Sequence, residues 1–236
     1  MAATSALLGY NGDCVIDAKN ATFTTSTNNN GSGKIAYSAG VGVSEGRINA
    51  TFTGSQIVST ATAANGFAQS AGIYTYPYVT DSQTPKNGDI SVSLDSSKIQ
   101  VKSEGVDNSN SLMTLPSGAY GIVGELGDIA LDLSNNSQID AQSNTLAAGV
   151  YAQSGKISGT IADSSIRVAG GEKSYALYAG AEGSSIAIDN STISGDVDLT
   201  SSATLNFTGG TSSVEGKIDG VGKINVNGQA DASFGN

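Results

Sequence analysis

The chain has no histidine, one cysteine and two arginines among 236 residues, and charged residues make up only 14% of it. Each shortage excludes a class of function. Without histidine no Ser-His-Asp arrangement can form, and zinc, which needs His or several Cys, has no ligand set. A lone Cys14 permits no internal disulfide. With only Arg47 and Arg167, a net charge of −10 and a pI near 4.2, the chain lacks the clustered Lys/Arg surface that tracks phosphates. Nucleic acid is therefore not an expected partner, and a polybasic membrane contact is not expected either. No apolar run reaches the ~18 residues of a spanning helix, so no membrane insertion is expected. The opening MAATSALLGYNGD lacks the basic and long apolar regions of a signal peptide.

Ile, Leu, Val and Phe amount to about a fifth of the chain, and Gly, Ser, Thr and Asn fill the space that charge leaves. Such a composition sits near the border of disorder, so folding has to be argued from periodicity. One phrase recurs six times, a glycine followed by alternating aliphatics. The copies are GDCVIDAKNATF from Gly12, GRINATFTGSQI from Gly46, GDISVSLDSSKI from Gly88, GDIALDLSNNSQI from Gly127, GKISGTIADSSI from Gly155 and GSSIAIDNSTI from Gly183. A second phrase precedes each copy: ALLGYN, GVGVSE, GIYTYP, GIVGEL, GVYAQS and ALYAGAE. Within a copy the period is two, as in Ile90, Val92 and Leu94 or Ile129, Leu131 and Leu133, and this reads as half-buried strands. No useful helical stripe is present.

Each repeat thus holds three short strands and tight corners. Gly127, Gly155 and Gly183 are spaced by 28 residues, which sets the basic coil, and the longer spacings carry inserted loops. A coil of this size cannot bury its own apolar face, so neighbours must complete it and like must stack on like. The expectation is an all-β, single-stranded parallel β-helix forming one domain over residues 1–236. It has about seven coils of roughly 28 residues, starting near 12, 46, 88, 127, 155, 183 and 205.

The stretch STISGDVDLTSSATLNFTGGTSSVEGKIDGVGKINVNG, residues 191–228, resembles the distal coils of pertactin-like bacterial autotransporter passenger domains. The matching residues are Ile193, Gly195, Val197, Leu199, Leu205, Phe207, Gly216, Ile218, Gly220, Gly222, Ile224 and Val226. The repeats from Gly46 onward resemble passenger coils more loosely. The resemblance implies a right-handed helix, export across both membranes of a Gram-negative cell and display at its surface. The family's C-terminal barrel has no counterpart here, so a passenger fragment is expected, with further coils beyond at least one end.

No catalytic set is expected. Asp128, Asp132 and Asp140 lie near one another in sequence, and Asp128 and Asp132 fall on an outward face, where solvated positions are the ordinary reading. Gly-Asp pairs at 12–13, 88–89, 127–128 and 195–196 raise calcium at corners, but a corner Asp more often bonds its own backbone and the calcium nonapeptide is absent. No metal or cofactor is expected. Cys14 occupies the position of Ile48, Ile90, Ile129 and Ile157, and reads as core.

A binding surface is the sharper expectation. In the second phrase Val41, Ile73, Ile122, Val150 and Leu177 point inward, so Gly42, Tyr74, Val123, Tyr151 and Tyr178 point outward. That makes an exposed aromatic stripe, enlarged by Tyr76 and Tyr78 in the following insertion, of the kind that contacts sugars or proteins. The candidate binding residues are Tyr74, Tyr76, Tyr78, Tyr151 and Tyr178, with the loops after Ile73 and Val101. The functional expectation is an extracellular, surface-displayed adhesin or adhesin stalk. Its partner is a host or neighbouring-cell protein or glycan, and self-association is open. A polysaccharide-degrading β-helix and a ligand-free spacer are the alternatives. Five Asn-x-Ser/Thr matches and scattered threonines carry no function on this reading.

Overall fold

A computed structural model describes residues 1–31, 34–77, 88–106 and 114–235. Among these the chain is all strand and turn, with no helix. The strands pair in parallel with the equivalent strands one coil away, forming a β-helix with three faces.

Face one stacks Ala2–Tyr10, Ile35–Ser44, Phe67–Tyr76, Gly118–Gly124, Leu146–Ala152 and Lys173–Ala179. Face two stacks Cys14–Lys19, Ile48–Thr53, Ile90–Asp95, Ile129–Ser134, Ile157–Ala162 and Ser185–Asp189. Face three stacks Thr22–Asn28, Gln56–Thr62, Lys98–Glu104, Gln138–Ser143, Ser165–Ala169 and Thr192–Ser194. Asp196–Glu215 then runs through all three faces as one strand, pairing with Lys173–Ala179, Ser185–Asp189 and Thr192–Ser194 in turn.

The core is a set of ladders. On face three Phe23, Ile57, Ile99, Ile139, Ile166, Ile193, Val214 and Phe234 lie in register, one per coil. On face two the ladder is Ala18, Phe52, Leu94, Leu133, Ile161, Ile188, Phe207 and Val226. These ladders have eight rungs where the repeat count suggests about seven. The difference lies in the last coils: Ser185 pairs with Thr204 and Thr204 with Lys223, so the circuit shortens to 19 residues and an eighth turn fits. Ile139 and Ile166 are fully buried, and each such side chain contributes roughly 1.5–3 kcal/mol.

The corners explain the small polar residues. Between faces two and three, Asn20, Gly54, Ser96, Asn136, Asp163 and Asn190 all adopt a left-handed conformation, which glycine and Asn/Asp accept most readily. The next residue is usually a buried serine. The Ser55 N–H donates to Ser97 Oγ at 3.0 Å, Ser97 N–H to Ser137 Oγ at 3.1 Å, and Ser191 N–H to Ser212 Oγ at 3.1 Å. This serine ladder satisfies backbone donors that the turn takes out of the strands.

Between faces one and two the same work falls to aspartates. Asp13 Oδ1 accepts from the Arg47 N–H, Asp89 from that of Asp128, and Asp128 from that of Lys156, each at 3.0 Å. Asp196 accepts from the Lys217 N–H at 2.9 Å. Arg47 and Lys156 also pair with Asp89 and Asp128. The Gly-Asp pairs therefore tie each corner to the next coil. Cys14 pairs with Ile48, at the head of the column that continues through Ile90, Ile129 and Ile157, where it is half-buried.

Candidate binding face

Face one differs from the others because the four strands in its middle are covered on both sides. Ile35–Ser44, Phe67–Tyr76, Gly118–Gly124 and Leu146–Ala152 are buried at almost every position, whereas Ile129–Ser134 alternates buried and exposed. A glycine sets its geometry. A Cβ on Gly72, Gly121 or Gly149 would lie 2.4 Å from Cγ2 of Ile99, Ile139 or Ile166 respectively. The glycine therefore faces inward, and so does the aliphatic after it. Two inward residues in succession shift the phase of the strand, so the positions just before and just after the pair both point out.

The outward side thus has two neighbouring columns. One is Gly42, Tyr74, Val123, Tyr151 and Tyr178; the other is Ala39, Ala71, Tyr120, Ala148 and Tyr175. Alanines in the second column leave room for rings of the first. Tyr151 stacks on Tyr178 with centroids 4.4 Å apart and planes at 11°. It meets Tyr120 edge-on at 5.5 Å, and Tyr175 lies 5.2 Å from Tyr178. A second group holds Tyr37, Tyr74 and Tyr76, with centroids 5.9 Å and 5.1 Å apart along the series.

The outward direction expected for Tyr74, Tyr151 and Tyr178 is what the register gives. The exposure is not. Tyr74 is 4% exposed, Tyr151 9% and Val123 fully buried, while Tyr76 and Tyr178 are half-buried. The stripe is instead a second apolar cluster, completed by Leu115 and Leu146. The segment at 114–117 crosses it: Leu115 packs into the cluster, the Tyr120 hydroxyl donates to the Pro116 carbonyl at 3.0 Å, and Ser117 Oγ donates to the Ala68 carbonyl at 2.8 Å. Tyr78 and most of the insertions after Ile73 and Val101 lie outside the described residues.

Beside Tyr74 the cluster contains a carboxylate. Glu125 is 2% exposed, and its two oxygens accept hydrogen bonds from the Tyr74 hydroxyl and Thr114 Oγ1. Burial pushes its carboxyl above the ordinary range, against the two hydroxyls that pull it down. Burial also raises the Tyr74 and Tyr37 phenols, and the nearby Glu125 charge adds to both. Burial and the neighbouring Tyr178 and Tyr175 raise Tyr151. The Tyr37 hydroxyl and both polar atoms of the Gln69 amide are buried without a hydrogen-bond partner among the described residues. A cavity of about 400 Å³ opens here, walled by Leu8, Tyr10, Tyr37, Tyr74, Tyr76 and Glu125 among others.

Sequence reasoning placed Tyr74, Tyr76, Tyr151 and Tyr178 on this face and missed Tyr37, Tyr120, Tyr175 and Glu125. The phase shift at the glycine is the signal that reveals the column of Tyr120 and Tyr175. The three aspartates weighed as a carboxylate set are not brought together: Asp128 caps a corner, Asp132 is exposed on face two, and Asp140 on face three pairs with Lys98 at 2.9 Å. Among the described residues no group of three His, Cys, Asp or Glu side chains is placed to hold a metal ion.

No family model matches the chain, and no curated protein or solved structure matches it.

Proposed function

We propose that this chain is a binding segment of an exported, surface-displayed β-helical protein of the autotransporter passenger type, acting as an adhesin or as the stalk that presents one. The observation that carries the reading is the distribution of tyrosine. All eight described tyrosines lie on face one, and faces two and three have none. A core does not require this, because Ile, Val, Leu and Phe fill the other faces. Tyr rings with polar tips are favoured where an apolar contact meets water. The half-buried Tyr175 and Tyr178 form the open margin of the cluster. The passenger type and export rest on the resemblance of residues 191–228, and the acidic, weakly charged surface suits an extracellular rod.

The test is attachment. Beads carrying the intact chain are applied to epithelial monolayers and to wells coated with neutral or acidic glycans. The paired replacement Tyr175→Ser and Tyr178→Ser is compared by circular dichroism to establish that the fold persists. Attachment lost in the folded variant supports the reading; attachment retained at full strength removes this face from it.

A further inference from the structure

We propose that the cavity between the first coils and Glu125 is a site for a small organic cation, a methylated ammonium group on a short polar tail such as choline carries. This rests on the binding role of face one and names the chemistry of one part of it.

Three features of the site favour positive charge. Glu125 lines the cavity, is 2% exposed and makes no ion pair among the described residues; its only partners there are two neutral hydroxyls. A buried carboxylate without a counter-charge is costly, and the upward displacement of its carboxyl expresses that cost. Four tyrosine rings, Tyr10, Tyr37, Tyr74 and Tyr76, border the same space, and ring faces carry negative potential that attracts cations. The Tyr37 hydroxyl adds a buried oxygen that has no hydrogen-bond partner among the described residues.

Among the described lining residues there is no lysine or arginine side chain, and no described cation forms an ion pair with Glu125. A neutral apolar guest would use the rings and leave Glu125 uncompensated, and an anion would be repelled. A methylated ammonium satisfies both, because its charge is shielded by methyl groups that pack on rings and it is weakly hydrated. The volume of about 400 Å³ is within the range of small-ligand sites and takes the head group with a short tail. A net charge of −10 raises the local concentration of cations.

The test is isothermal titration of the intact chain at pH 7 with choline and with 3,3-dimethylbutan-1-ol, its neutral isostere. The expected result is one saturable site with choline bound about ten-fold tighter than the isostere, equivalent to roughly 1.4 kcal/mol. In Glu125→Gln that preference collapses while the isostere binds as before. Tyr37→Leu, which removes a ring and leaves the carboxylate, weakens both ligands and serves if Glu125→Gln does not fold. Equal binding of the two ligands, unchanged choline binding in Glu125→Gln, or no saturation with choline would each overturn the proposal. If choline fails while bead attachment still depends on Tyr175 and Tyr178, the cation class is wrong and the adhesive reading stands. If both fail, face one has no binding role.

Discussion

The hydroxyl of Tyr74 donates to the carboxylate of Glu125, 51 residues further along the chain. The bond joins the strand Phe67–Tyr76 to the end of the strand stacked on it, Gly118–Gly124. It also ties the outward aromatic cluster to a buried acid, and several predictions depend on it.

The first concerns pH. Burial raises the Glu125 carboxyl above its ordinary value of 4.5, so the folded chain holds this proton more tightly than the unfolded chain does. Its stabilising contribution is complete below the unfolded value and is lost as pH rises through the folded one. The groups facing it are Tyr74 and Tyr37 from the neighbouring strands and Thr114. Thermal melts of wild type and Glu125→Gln between pH 4 and 8 should separate increasingly with pH, the variant becoming relatively more stable by about 1.4 kcal/mol per unit of displacement. A constant gap would show that Glu125 titrates as a solvated carboxyl.

Truncation should act in the opposite direction. Glu125→Ala leaves the Tyr74 hydroxyl and Thr114 Oγ1 without their acceptor, and an unsatisfied buried donor costs about 1–3 kcal/mol. At pH 7 this variant should melt below Glu125→Gln. Equal melting temperatures would mean that the two hydroxyls find water instead.

Glycine at the phase shift is required by contact. Gly149→Ala places a methyl 2.4 Å from Ile166 Cγ2 and 2.7 Å from the Ala176 carbonyl oxygen, and overpacking of this kind costs roughly 1–3 kcal/mol. Gly228→Ala, where nothing lies within 4 Å and φ is not positive, is the neutral control. Chemical denaturation that failed to separate the two would contradict the inward placement of the glycine column.

The serine ladder predicts a local cost. Ser97 Oγ accepts from the Ser55 N–H and donates to the Phe52 and Asp95 carbonyls. Ser97→Ala removes all three contacts and should destabilise by about 1–3 kcal/mol, with faster amide exchange at Ser55. Unchanged exchange there would mean that the corner N–H has another acceptor.

Much of the fold was legible because its cause is local and repeated. Alternation at Ile90–Leu94 and Ile129–Leu133 is a period any sheet enforces, and spacing put Gly88, Gly127 and Gly155 at one corner. Even Cys14 could be assigned to the column of Ile48. The eighth coil was hidden because Lys223–Val226 completes a shortened circuit that no longer matches the 28-residue phrase. The direction of Tyr74, Tyr151 and Tyr178 follows from the strand, but their burial does not. It depends on Leu115 and the 114–117 segment crossing from another coil, a long-range contact without a sequence period. Glu125 was invisible for the same reason, since nothing local marks a carboxylate that Tyr74 and Thr114 will enclose.

The most direct measurement is a choline titration of the intact chain with ¹³C-labelled tyrosine rings, resonances being assigned by single Tyr→Phe replacements. The account predicts saturable shifts at Tyr37, Tyr74 and Tyr76, with Tyr120 and Tyr175 unmoved. Shifts confined to Tyr175 and Tyr178, or none at any ring, would contradict a cation site at Glu125.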